Sequence, residues 1–85
     1  MHSDAYHLAQ SAMADLKSAV YLVLESAPSA GLTNAEVGRT LGIYGGHEGH
    51  EGHISRTLLQ QLKSERVVVQ GENKKWLLEQ HLDID

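Results

Sequence analysis

The stretch "YGGHEGHEGHIS", Tyr44 to Ser55, sets His47, His50 and His53 three residues apart, with Glu48 and Glu51 between them. Imidazole and carboxylate groups ligate metals, and zinc takes about four N, O or S ligands in a tetrahedral array. The same stretch carries Gly45, Gly46, Gly49 and Gly52. Each glycine costs a helix roughly 0.8–1 kcal/mol relative to alanine, so a preformed helical clamp is not expected. The metalloprotease pattern H-E-x-x-H would need a histidine where Glu51 stands. The expectation is a glycine-rich spacer with no obligatory metal and no other cofactor. His47, His50 and His53 are its only metal candidates, and adventitious zinc or nickel binding is more ordinary for such a set than a specific site. Nor does a catalytic centre emerge. Ser55 lies two residues from His53, and neighbours at that spacing on a helix do not face each other.

Two other groups of residues could do chemistry. "HISRTLLQQLK" sets His53, Arg56, Gln60 and Lys63 on one helical stripe, and "NKKW" places Lys74 and Lys75 side by side. The chain as a whole has a net charge of -4, which argues against a polyanionic partner. The distribution changes that reading, because residues 31–77 are weakly basic, at a net of +1. Residues 31–77 hold six of the seven Lys and Arg, while residues 1–30 and 78–85 are acidic. Histidines in the middle could add charge below about pH 6.5.

The elements that must position these groups are legible in turn. The 85-residue chain has room for one thin-cored domain. No cysteine is present, which excludes disulfides and thiolate metal sites. No apolar run approaches the ~20 residues of a membrane span, and "MHSDAYH" lacks the character of a signal peptide, so a cytoplasmic protein is expected. From Asp4 to about Ser26 there is no Gly or Pro, and Ala9, Ala12, Met13, Leu16, Ala19, Val20 and Val23 recur at helical spacing. One long helix is expected, stopped by Pro28 and Gly31. Thr33 and Glu36 form a T-x-x-E capping box, so a short helix should begin near Asn34. Val37 and Leu41 would be buried and Gly42 would end it. Gly38 implies that another helix passes close. A third helix over 54–66 should bury Ile54, Leu58 and Leu62, with Leu59 widening the stripe. Val67–Gln70 and Lys75–Leu78 should pair as a hairpin around "GENK", with Trp76 in the core. Residues 79–85 read as a loose acidic tail.

Helix, capped short helix, turn, amphipathic helix, hairpin: this order, carried by "GLTNAEVGRTLGI", "ISRTLLQQLKSERVVVQ" and "KKWLL", resembles the winged helix-turn-helix domains of bacterial and archaeal regulators and of restriction-endonuclease modules. The likeness covers about Gly31 to Leu78. It departs in the long turn, roughly Gly42 to Gly52, and at Arg66, where such families favour glycine. It implies a mainly α fold with a small β-hairpin, three helices plus a wing, spanning residues 1–78. It also implies sequence-specific double-stranded DNA binding with the third helix in the major groove. His53, Ser55, Arg56, Thr57, Gln60 and Lys63 would then face DNA, and Lys74 and Lys75 on the wing would meet phosphates. Apolar surface on residues 4–26 exceeds what a thin core covers, which points to a homodimer through that helix. Two alternatives stay open: a winged helix that binds protein, and a metal-responsive regulator using the histidine loop.

Overall fold

The computed structural model describes residues 2–46, 49 and 51–83. Helix α1 spans His2–Glu25, α2 spans Asn34–Thr40 and α3 spans His53–Ser64. Strands β1 (Val68–Gln70) and β2 (Trp76–Leu78) follow, and a 3-10 helix, η1, covers Glu79–Asp83. The chain is thus mainly helical with one small antiparallel hairpin, in which Val68 faces Leu78 and Gln70 faces Trp76. Leu32 adds an isolated bridge to the other side of Trp76, with N–H to O distances of 3.0 and 2.6 Å in the two directions.

The core forms where these elements converge. Val20 and Leu24 of α1 meet Val37 of α2, Leu58, Leu59 and Leu62 of α3, and Val68, Trp76 and Leu78 of the hairpin. Trp76 is a core residue, 3% exposed, as its strand position requires. Only the C-terminal half of α1 contributes to this core. His2 to Ala12 are all exposed.

Local chemistry explains each boundary. At the start of α2, Thr33 Oγ1 accepts from the Glu36 N–H at 3.1 Å, and Glu36 Oε1 accepts from the Thr33 N–H at 2.8 Å. The Thr33 backbone N–H, and then its side chain, hold the Glu36 carboxyl below the usual carboxylate range. A depressed folded-state pKa stabilises the fold above the unfolded pKa, and that contribution fades as pH falls through the folded one. Acidification should therefore weaken the capping box. Glu36→Ala, which removes the titrating partner while leaving Thr33 as the cap, is expected to lower stability in urea unfolding at neutral pH, with the deficit shrinking toward pH 3. A constant deficit across that range would show that the reciprocal Glu36 bond contributes nothing.

Two helices end alike. The N–H of Ile43 reaches the Gly38 carbonyl at 2.8 Å, and the N–H of Val67 reaches the Leu62 carbonyl at 2.9 Å. Each closes a left-handed turn, at Gly42 (φ 73) and at Arg66 (φ 64). Arg66 therefore adopts the conformation that its type disfavours by about 1–2 kcal/mol, and the bonds of the turn hold it there.

Three expectations change. Helix α3 runs His53–Ser64 rather than 54–66, because the left-handed turn at Arg66 stops it. Ile54 is not a core residue; it is 48% exposed. The inward stripe is Ser55, Leu58, Leu59 and Leu62, rotated by about one residue from the one expected. And residues 79–83 are not a loose tail: the Glu79 N–H bonds the Val67 carbonyl at 2.8 Å and Gln80 Nε2 donates to Tyr21 Oη at 3.2 Å. Ile84 and Asp85 lie outside the described residues. Among the described residues, no helix is long and apolar enough to cross a membrane.

Candidate nucleic-acid interface

Helix α3 presents its second side to solvent. His53, Arg56, Thr57, Gln60 and Lys63 are all exposed there. The helix, HISRTLLQQLKS, contains no acidic residue. Its outward side is thus a stripe of cations and hydrogen-bonding groups on an otherwise acidic chain.

Ser55 does not belong to that stripe. It is fully buried, and its hydroxyl donates to the Gly52 carbonyl at 3.2 Å. The reason lies in how α3 crosses α2. A Cβ on Gly38 would come within 2.9 Å of Ser55 Oγ, so the two helices touch through their smallest residues. Ser55 therefore helps set the crossing and cannot reach a groove.

The start of α3 is anchored from α2. Gly52, the N-cap, is left-handed (φ 83) and lends no side chain to the cap. Its carbonyl accepts from Arg56 N at 3.0 Å, from Asn34 Nδ2 at 3.2 Å and from Ser55. Asn34 Oδ1 is buried with no hydrogen-bond partner among the described residues. Tyr44 fills the angle between the helices, against both Gly38 and Gly52. The Arg39 guanidinium carbon sits 4.6 Å from the Tyr44 ring centroid, a cation–π contact. Arg39 thereby holds its positive charge against Tyr44, on the connection between α2 and α3.

Residue type and spacing alone do not single out Asn34, Arg39 and Tyr44. The one signal in the sequence is Tyr44 itself, the only aromatic residue between Tyr21 and Trp76.

Gly45 and Gly52 flank the histidine repeat on this connection. The Gly52 N–H donates to the Gly45 carbonyl at 3.2 Å. His47, Glu48 and His50 lie outside the described residues, so the metal candidates His47 and His50 are not placed. His53 is placed, on the first turn of α3. Among the described residues, no group of three His, Asp or Glu side chains could hold a metal ion.

The hairpin lysines stand on a separate element. Lys74 occupies the turn with φ 65 and its N–H donates to the Gly71 carbonyl at 2.9 Å. The Gly71 N–H in turn donates to the Lys75 carbonyl at 2.9 Å, and the Lys75 N–H donates to Asn73 Oδ1 at 2.9 Å. Asn73 Nδ2 also donates to the Ala30 carbonyl at 3.3 Å, which ties the turn back to the α1–α2 connection. Lys74 is exposed; Lys75 is half-buried and close enough to Glu36 to lower its pKa. Lys74 is therefore the freer of the two for an outside anion. Compared with protein-family models, with curated proteins and with solved structures, the chain matches none.

Proposed function

We propose that this chain is a winged helix-turn-helix protein that binds double-stranded DNA, as a transcriptional regulator or a DNA-recognition module in the cytoplasm. The observation that carries the reading is the outward side of α3: His53, Arg56, Thr57, Gln60 and Lys63, with no carboxylate anywhere in the helix. The element order supports it. Leu32 bridges Trp76 as a minimal third strand, so the chain runs helix, bridge, helix, helix, strand, strand. In such a fold α3 enters the major groove and the hairpin lies against the backbone.

Arg56 would take a guanine edge bidentately and Gln60 an adenine edge. Lys63, Lys74 and Arg39 would meet phosphates, which fix register without reading sequence. His53 and Thr57 lie at the edge of the same surface. A homodimer through α1 would give two recognition helices and hence a two-fold symmetric site.

The test is base selection. Duplexes selected by the native chain should contain a guanine whose preference is lost in Arg56→Ala, with about 1–3 kcal/mol less affinity for the selected site. Unchanged affinity and unchanged base preference would remove α3 from the groove.

A second reading has one observation in its favour. Ile54, 48% exposed, borders an apolar groove between α1 and α3, and the chain is net acidic. A winged helix that binds a protein would use such a surface.

A further inference from the structure

Helix α1 is longer than its domain. At 1.5 Å per residue its 24 residues reach about 36 Å. His2 to Ala12 project past the core with Tyr6 62% and Leu8 73% exposed. Tyr6 and Ala9 continue the stripe of Met13, Leu16 and Val20 that packs on the core, whereas Asp4 and Asp15 fall on the opposite side. The projecting stripe thus carries one large apolar residue, Tyr6, among small ones, while Leu8 lies toward the opposite side.

At the root of this projection lies a groove of about 210 Å³, lined by Met13 and Leu16 of α1 and by His53, Ile54, Thr57 and Leu58 of α3. Ligand pockets usually hold about 300–1,000 Å³, so the groove is of side-chain size. An exposed aromatic ring and an open apolar groove thus sit on one stripe of one helix, seven residues apart. A two-fold axis beside the helix, level with the midpoint between them, would bring each ring to the groove of the other copy.

The extended shape leaves surface enough for a partner of ordinary interface size. The chain exposes 5912 Å², about 900 Å² more than a compact monomer of its 9.3 kDa mass would. A standard interface buries about 800 Å² per partner. The radius of gyration is likewise 13.8 Å, against roughly 12 Å for a compact chain of this length.

We propose that a second copy of this chain covers the N-terminal half of α1, the two helices crossing antiparallel near Ala9, with Tyr6 of each copy seated in the Met13–Leu16–Ile54–Leu58 groove of the other. The inference rests on the homodimer part of the functional reading and fixes its seam. Antiparallel packing about Ala9 places Tyr6 opposite Met13, since both lie about three and a half residues from the axis. Ala5, Ala9 and Ala12 let the backbones approach. The contact is isologous, so it closes at two copies and leaves no free end. It also covers Ile54, the exposed apolar residue of α3, and leaves Arg56, Gln60 and Lys63 outside the seam. His53 and Thr57 mark the border between the two surfaces.

The chain has no cysteine of its own, so single cysteines report the seam directly. Ala9→Cys is exposed and should fold normally. Mild oxidation is expected to link it to a second copy, because a crossing there brings the two Cα atoms within disulfide range. Leu22→Cys, on an exposed position away from the crossing, should not link. Sedimentation of the native chain at micromolar concentration should give about twice the 9.3 kDa chain mass. Tyr6→Glu should weaken the dimer by ~30-fold or more, as loss of a central aromatic anchor does, with unchanged far-UV circular dichroism. A native dimer that survives Tyr6→Glu, or links through Leu22→Cys and not Ala9→Cys, overturns the seam while leaving dimerisation intact. A folded native monomer overturns both.

Discussion

Gly31→Ala should lower stability by about 3 kcal/mol and Tm by roughly 15 °C, the largest loss expected from a single methyl group in this chain. Two effects add. Gly31 has φ 87, a conformation that costs a non-glycine residue about 1–2 kcal/mol. A Cβ there would also stand 2.5 Å from the Trp76 carbonyl oxygen and 2.9 Å from Leu77 Cδ2. The carbonyl cannot yield cheaply, because it accepts the Leu32 N–H at 3.0 Å in the bridge that completes the sheet. Forcing atoms together at that distance costs typically 1–3 kcal/mol more. Gly42→Ala is the control. It shares the positive φ (73) but meets nothing within 4 Å, so only the conformational part should be lost. Equal losses at the two positions would mean that the Leu32–Trp76 bridge does not hold the α1–α2 connection against the hairpin.

The second large effect concerns affinity. Replacing Arg56, Lys74 and Lys75 together with alanine should weaken DNA binding by two to three orders of magnitude at low salt. On the proposed reading, Arg56 would account for about 1–3 kcal/mol of base recognition. The lysines would act by releasing counterions, and each ammonium–phosphate pair removed should flatten the log–log salt slope by about 0.9. All three side chains avoid the fully buried core, so the variant should keep its fold. Lys75 should account for less than Lys74, because its ammonium lies near Glu36.

Much of the scaffold for this surface is readable from residue types alone. Thr33 and Glu36 announce the start of α2 because a capping box is a local arrangement, complete within four residues. Gly38 announces a close helix crossing, and the crossing residue is Ser55. Gly42 and the "GENK" turn likewise mark chain reversals through their own backbone chemistry. What cannot be read is set by packing between distant segments. The rotation of α3 depends on Ser55 fitting against Gly38, and a pattern of leucines alone allows Ile54 to point inward equally well. Leu32 carries no strand signal; it becomes one through Trp76. Arg66 and Lys74 occupy left-handed positions that their residue types disfavour, and only the surrounding hydrogen bonds place them there. The tail behaves likewise, since its 3-10 turn is fixed by Val67 and Tyr21. The exposed stripe of α3 is legible from its period, whereas the stacking of Arg39 on Tyr44 is not.

The central claim is that the outward side of α3 binds duplex DNA despite a net charge of -4. The most direct measurement is the affinity of the native chain for a random-sequence duplex at 50 and 200 mM salt, beside the Arg56, Lys74 and Lys75 triple-alanine variant. With Arg39, Arg56, Lys63, Lys74 and Lys75 on phosphates or bases, binding should weaken with a log–log slope of about -4 to -5 per bound chain, and the variant should bind far more weakly with a slope nearer -2 per chain. Native binding that is absent at the lower salt, or equal to that of the variant at both concentrations, would contradict the account.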